Sequence, residues 1–425
     1  MINRIPVPDR QHWSRPGKVC RVATGSVISS RLCSHQKNNI MDNGRRKFFK
    51  LFAAGSLGAG LTPVIASSLS GIATDQPTET NIADALKYPR NENSMPGKYP
   101  GRVVRVDDEN SISDGTINDE AVFNMLDEGM RNLGECNDVR DAWRQFVSPG
   151  EKIGLKVNPI GGKLLSTSHA LVRSVISQLE QSGIAREDIM IFDRRMQQLK
   201  DTGFTPENYP GIAIAGTEHV DESGSYYDEN GELYSLSLID KEWYYRADCE
   251  MEYDDYMLPF MVNQGKYSYF SRIVTQQLDK IINLPIMKNA GASVTLCLKN
   301  LGYGVITNTS RLHATLWAET SAQVCAFPPV RDKVVLNIAD GIKGCYDGGP
   351  GANPQFFTDY KMLLLGTDPV AMDVVGYDII IGKRIEMGRQ DGFFEVGMKK
   401  MELAAGYGLG VADRDRIDLR KIVQG

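Results

Sequence analysis

The sequence predicts an α/β fold: a mostly parallel sheet with helices on both faces, built from βαβ units. Three observations carry the prediction. The apolar run 153–157, the helix-spaced series Leu171, Val172, Val175, Ile176 and Leu179, and a second apolar run at 189–192 follow one another within about forty residues. That is the span of a right-handed crossover between parallel strands. The rhythm resumes downstream, with apolar runs at 281–287, 334–338 and 362–365. A helix from Pro369 to about Ile381 follows the last run.

Each further element follows from local pattern. Gly101-Arg-Val-Val-Arg-Val106 alternates as a strand does. Val122, Met125, Leu126, Met130 and Leu133 recur at helical spacing, predicting a helix over 118–133. The run at 212–215 continues the sheet. Residues 221–275 break the rhythm: the segment is acidic and tyrosine-rich, and its Asn230-Gly231 dipeptide favours a tight turn. It reads as a β-hairpin insertion, either a lid or a surface ornament. A helix is expected near 292–300, and Asp368 or Thr367 caps the helix that opens at Pro369, where a missing N–H costs no hydrogen bond. No repeat of solenoid length occurs.

The first 73 residues differ in kind. They hold eleven Lys or Arg and two acids, so the remainder carries 37 basic and 51 acidic residues, a net charge of −14. Such a body opposes binding to nucleic acid or anionic lipid, which requires clustered positive charge. Met41, the expected start, precedes Arg45-Arg46-Lys47, an apolar run from Leu51 to Ile65, and candidate cleavage sites after Ala66 or Ala73. This order reads as a twin-arginine signal, with the twin-arginine translocase as partner and the periplasm as destination. The apolar run is short and Gly-rich, so no stable membrane span is expected after cleavage. Residues 74–100, with Pro77, Pro89, Pro96 and Pro100, read as a polar linker, and 101–425 as a single domain.

With 42% hydrophobic and 24% charged residues the chain is globular in composition. Cys136, Cys249, Cys297, Cys325 and Cys345 follow the signal without a C-x-x-C pair, so no intrinsic iron–sulfur motif is present. An oxidising compartment would allow one or two disulfides, whose pairing the sequence leaves open.

In open α/β sheets ligands bind outside the carboxyl ends of the strands. The predicted strands end in Asn158 with Gly161-Gly162, Ser166, Ser168 and His169; in Asp193-Arg194-Arg195; in Lys288 and Asn289, followed by Lys299-Asn300; and in Asp340 and Asp368. Without a G-x-S-x-G elbow, the serines read first as helix caps. The glycine pair belongs to neither G-x-G-x-x-G nor a P-loop. His169, His219 and His313 are the histidines beyond the signal, and no H-E-x-x-H occurs, which leaves a mixed site of histidine, carboxylate and amide oxygen as the metal option. Lys156, Arg194, Arg195, Lys288, Lys299 and Arg311, if they converge, would form a positive well for a carboxylate, phosphate or sulfate.

The strings EKIGLKVNPIGG (151–162), LLSTSHALVRSVISQLEQSGI (164–184), IMIFDRR (189–195), LPIMKNAGASVTLCLKNLGYGVI (284–306), VVLNIADGIKGCYDGGPG (334–351) and LLLGTDPVAMDVVGYDII (363–380) resemble the twin-arginine-exported branch of the domain-of-unknown-function 362 family. The likeness runs from about Gly101 to Ile381. Many relatives carry a histidine two residues after the lysine that matches Lys288, where this chain has Ala290. Some are fused to ferredoxin-like cysteine modules, which this chain lacks.

The leading expectation is an exported enzyme acting on a small anionic or polyhydroxylated substrate at the strand ends, with a divalent metal as an option. Asp193, His313 and Asp340 would serve as metal ligands or acid/base groups. Lys156, Lys288 and Lys299 would balance substrate charge, with Lys288 and Lys299 in the catalytic set. Asn158, Ser168, His169, Arg194, Asn300 and Arg311 would bind substrate. Two rival expectations are a periplasmic ligand-binding or redox-enzyme accessory protein without catalysis, and a racemase-like oxidoreductase with an organic metal cofactor. The latter rests on a strand, polar loop and helix order similar to that of the lactate racemase family.

Overall fold

The computed structural model describes residues 78–424 apart from 220, 222, 224, 226–228, 232–233, 248, 250–266 and 390–395. The signal, the proposed start and residues 226–228 and 232–233 around Asn230-Gly231 lie outside the described residues. In chain order the main strands are β1 Arg102–Asp108, β2 Ile153–Lys156, β3 Ile189–Arg195, β4 Ala213–Glu218, β5 Ile239–Arg246, β6 Tyr267–Ser271, β7 Lys280–Asn283, β8 Ile286–Ala290, β9 Ser293–Thr295, β10 Val334–Cys345, β11 Phe357–Thr358, β12 Met362–Gly366 and β13 Asp418–Gln424. The helices used below are α1 Ile82–Leu86, α2 Asp119–Gly134, α3 Val139–Trp143, α4 His169–Gln181, α5 Met196–Asp201, α6 Tyr234–Leu238, α7 Cys297–Gly302, α8 Leu312–Thr315, α9 Trp317–Ala326, α10 Pro328–Arg331, α11 Pro369–Glu386 and α12 Lys399–Gly406.

The fold is the predicted α/β class. The central sheet runs β13-β1-β12-β10-β7-β2-β3-β4, and β12 alone is antiparallel to its neighbours. The β2-α4-β3 unit is the crossover read from the sequence, with Ile153 paired to Ile189 and Leu155 to Ile191. Those four side chains face α2 and α4, where Val122, Met125, Leu126, Leu171, Val175 and Leu179 complete one apolar layer. The other layer packs Phe192, Ile281 and Ala339 beneath α7, α9 and α11. Each large aliphatic side chain so buried contributes about 1.5–3 kcal/mol, which is why both faces of these strands are apolar.

Several boundaries differ from expectation for identifiable reasons. The run at 281–287 splits into β7 and β8 at Pro285, which has no N–H for the ladder. The run at 334–338 extends to Cys345, because Gly341 and Gly344 let Met362 and Tyr360 lie against the backbone: a Cβ there would meet them at 2.9 and 2.7 Å. Residues 78–100, read as a linker, pack onto the body. Arg331 donates to the carbonyls of Tyr88 and Pro89, its own carbonyl accepts from Met95 N, and Met95 is buried. Ala85 and Met95 are buried in the core as well, so hydrogen bonds and apolar contacts together hold the segment. Within the region read as an insertion, β5 and β6 form a separate antiparallel pair.

Asp368 caps α11, accepting from Val370 N and Ala371 N, and its other oxygen accepts from Gly101 N and Val411 N. One carboxylate thereby ties the approach to β1, the start of α11 and the segment before β13. The five cysteines from Cys136 onward are free thiols.

Candidate functional site

Parallel pairing sets Lys156 beside Asn283, and Asn283 beside Asn337. Residues in register across parallel strands share a face, so three buried polar side chains form a row beneath α7, which lays Asn300 over them. Asn337 Nδ2 donates to the Thr367 carbonyl at 3.3 Å, Asn283 Nδ2 to Asn337 Oδ1 at 2.9 Å, and Asn300 Nδ2 to Asn283 Oδ1 at 2.8 Å. Asn300 Oδ1 accepts from Asn158 Nδ2 at 2.9 Å and from Lys156 Nζ at 3.2 Å. Asn158 Oδ1 in turn accepts from Lys288 Nζ at 3.0 Å. The amides all point one way, so orienting one orients the rest.

Lys156, wholly buried, pairs with Asp193 at 2.5 Å and donates also to the Val157 carbonyl at 2.9 Å. Burial lowers its pKa while the Asp193 carboxylate opposes that shift. Gly304 is required beside it, since a Cβ there would stand 2.3 Å from Lys156 Cε. Lys288 donates to Asn158 and to the Ile160 carbonyl. Burial, then the positive charge of Lys299, pushes its pKa down to about 7. Lys299 is pushed down to about 8 by burial and then by Lys400. Its ammonium lies 5.7 Å from the Tyr303 ring centre, and the His313 ring lies 4.4 Å from the same ring. Burial, followed by the charges of Lys299 and Arg194, pushes His313 down to about 3, so the imidazole is neutral at physiological pH. Its Nδ1 contacts the Thr309 carbonyl at 3.0 Å, and Arg194 bonds Thr309 Oγ1. Buried Glu218, which the sequence reading missed, pairs with Arg195 at 2.8 Å and with Arg194 at 3.8 Å.

Asp193, Lys156, Asn158, Lys288, Lys299, Asn300, Arg194 and His313 are thus one neighbourhood. Four expected members are not. Asp340 shares its face of β10 with Ile338 and Ile342, opposite Asn337 and Ala339, because the strand runs on past 338 and its side chains alternate. It accepts from Ser168 N at 2.7 Å and sits at the floor of a separate cavity of about 330 Å³ lined by Lys163, Ser168, His169 and Ile286. Burial raises its pKa. Ser168 is the cap of α4, its Oγ accepting from Leu171 N. His169 accepts from the Tyr209 hydroxyl at Nδ1 (2.6 Å) and donates from Nε2 to the Thr202 carbonyl (2.9 Å), which leaves no ring nitrogen for a substrate. Arg311 is buried against the insertion, donating to the Ala247 carbonyl at 2.7 Å and to Ser268 Oγ at 3.0 Å. The glycine pair makes a turn: Gly161 and Gly162 adopt φ of 117° and 63°, the left-handed region that suits glycine.

The expected metal donors do not form a donor set. Asp193 is held by Lys156, His313 is surrounded by cations, and Asp340 faces the other layer. Among the described residues no group of three or more His, Cys, Asp or Glu side chains is arranged to hold a metal ion. No described helix is long and apolar enough to cross a membrane.

These features define an α/β protein with a cation-rich, amide-bridged cluster at its strand ends. Residues 245–378 match the family described as Domain of unknown function (DUF362), a stretch that includes Lys288, Lys299, Asn300 and His313 but not Lys156, Asn158 or Asp193. Comparison with curated proteins gives no match. Among solved structures the chain is similar to a structural-genomics target from Thermotoga maritima, at 6% identity and a TM-score of 0.35. The alignment covers 64% of this chain and 59% of that one, so the chain spans under two thirds of that protein's length.

Proposed function

We propose that the chain is an enzyme that binds a small anionic substrate in the Lys156–Lys288–Lys299 cluster and transfers a proton there through Lys288. One observation carries the reading. Lys288 is wholly buried and Lys299 partly so, and no carboxylate stands within ion-pair distance of either amine among the described residues, while Asp193 is engaged by Lys156. Burying an uncompensated ammonium is costly, and an anion entering the cluster would relieve that cost. A lysine near pH 7 is also poised to give and take a proton. His313, neutral among cations, offers a second polar contact.

The test is titration calorimetry with inorganic phosphate, sulfate and lactate. Lys299→Met should weaken binding of the preferred anion by about tenfold or more, the equivalent of one charge-assisted hydrogen bond. Binding unchanged in both Lys288→Met and Lys299→Met would overturn the reading. We further read the chain as a member of the twin-arginine-exported branch, delivered to the periplasm. Arg45-Arg46 ahead of the apolar run supports this. Cell fractionation should find the chain, shortened by cleavage after Ala66 or Ala73, outside the cytoplasm, and the Arg45→Lys, Arg46→Lys double variant inside it.

A further inference from the structure

Four buried or largely buried lysines in this protein differ in what their Nζ atoms meet. Lys156 has three acceptors, one of them the Asp193 carboxylate. Lys333 has three carbonyls, those of Val274, Thr275 and Leu278. Lys400 has the Val294 carbonyl and the Asp373 carboxylate at 2.7 Å each. Those environments suit an ammonium, which carries three N–H donors. Lys288 meets two neutral acceptors, Asn158 Oδ1 and the Ile160 carbonyl, and no carboxylate among the described residues. Two acceptors satisfy the two N–H bonds of a neutral amine and leave its lone pair unused. A neutral, desolvated amine beside other cations is a nucleophile.

We infer that Lys288 forms an imine with a small carboxylate that carries a reactive carbonyl, a 2-oxo acid being the simplest class. The inference rests on the anion-binding reading above and names the substrate class of that same site. Nζ attacks the carbonyl carbon and the C–N bond forms. The carbonyl oxygen then leaves as water with the two amine hydrogens, and no oxidation or reduction occurs. Lys299, partly exposed, is the cation that would meet the carboxylate. The negative charge is a requirement. The neutral imine becomes an iminium by taking up one proton from solvent, which adds positive charge beside Lys299 and Lys156, and a substrate carboxylate neutralises it. Asn158 has two roles here: its Oδ1 holds the amine, and its Nδ2, tied to Asn300, fixes the direction in which the lone pair faces.

The experiment incubates the full chain with pyruvate or glyoxylate, adds sodium borohydride to reduce any imine to a stable secondary amine, and maps the adduct by peptide mass spectrometry. The expected result is the reduced adduct on Lys288 at well above the level on exposed lysines such as Lys98, and its suppression by excess lactate, which has the carboxylate but no carbonyl. The wild-type map locates the site without relying on a variant that could misfold; Lys288→Met should in addition abolish the trapped product. Calorimetric binding of lactate with no Lys288 adduct would overturn the imine while leaving anion binding standing. Absence of both would overturn the two together.

Discussion

Asn283 stands beside Lys156 in the β2–β7 ladder and decides which way Asn300 faces. It accepts the Asn300 amide at 2.8 Å, and the Lys156 carbonyl accepts from the same nitrogen at 3.3 Å. With its nitrogen committed to two acceptors, Asn300 must turn Oδ1 toward the Lys156 ammonium and the Asn158 amide. A residue whose side chain bonds neither Lys156 Nζ nor Lys288 Nζ thereby sets the polarity of the groups around Lys288.

Replacing Asn283 with leucine should leave Asn300 Nδ2 short of an acceptor and Asn337 Oδ1 without its donor. A loss of about 2 kcal/mol is expected from stranding buried polar groups, read as a lower urea midpoint at unchanged slope. Stability equal to wild type would show that the amide row is dispensable.

Lys156→Met removes one half of a buried pair and strands Asp193. The expected cost is about 3–5 kcal/mol. The Lys156→Met, Asp193→Leu double variant should recover a large part of it, since the uncompensated charge is then gone. A double variant no more stable than the single would count against the pair as the source.

The pH dependence has a defined sign. Lys288 and Lys299 are lowered to about 7 and about 8 in the folded protein, against 10.5 for an ordinary lysine. Between those values the unfolded chain binds more protons than the folded one, so stability should rise as pH increases from about 7 toward 10.5, and level off below 7. Urea midpoints across this range should climb in the wild type and climb less in Lys288→Met. Anion affinity should run oppositely, weakening as pH passes 7 to 8, because the bound anion favours the protonated amines.

Asp368→Asn should destabilise by about 3 kcal/mol, since an amide presents a donor where two of four backbone N–H groups need an acceptor. Thermal unfolding of the variant measures this, and a midpoint within a degree or two of wild type would contradict it.

The crossover β2-α4-β3 was legible because its two runs are uniformly apolar and its helix strictly periodic. Lys156 is legible as a charge near the end of one such run, Asp193 and Lys288 as charges that follow two others, and Asn300 as an amide at the end of an expected helix. Asn283 and Asn337 were not, since each is a single amide inside an apolar run and looks like an interruption. Only pairing register brings the two together, and one sequence does not contain it. Asp340 misled because Asp-Gly reads as a turn, whereas here the strand continues and the side chain alternates to the other layer. β13 escaped notice because an edge strand with one solvated face has only a weak alternation, with Leu419 and Val423 exposed. Arg311 looked like a substrate ligand, because the sequence could not show that Ala247 and Ser268 fold back against it.

β13 pairs with β1 along its whole length, from Arg102 with Asp418 to Asp108 with Gln424. An interval of more than three hundred residues therefore separates two strands that share hydrogen bonds, and during synthesis β1 waits with a bare edge until β13 has been made. Contacts this distant in sequence are slow to form, and an unpaired edge invites pairing with other chains. The newborn protein is thus most vulnerable to aggregation in the interval after β1 has emerged and before β13 closes it.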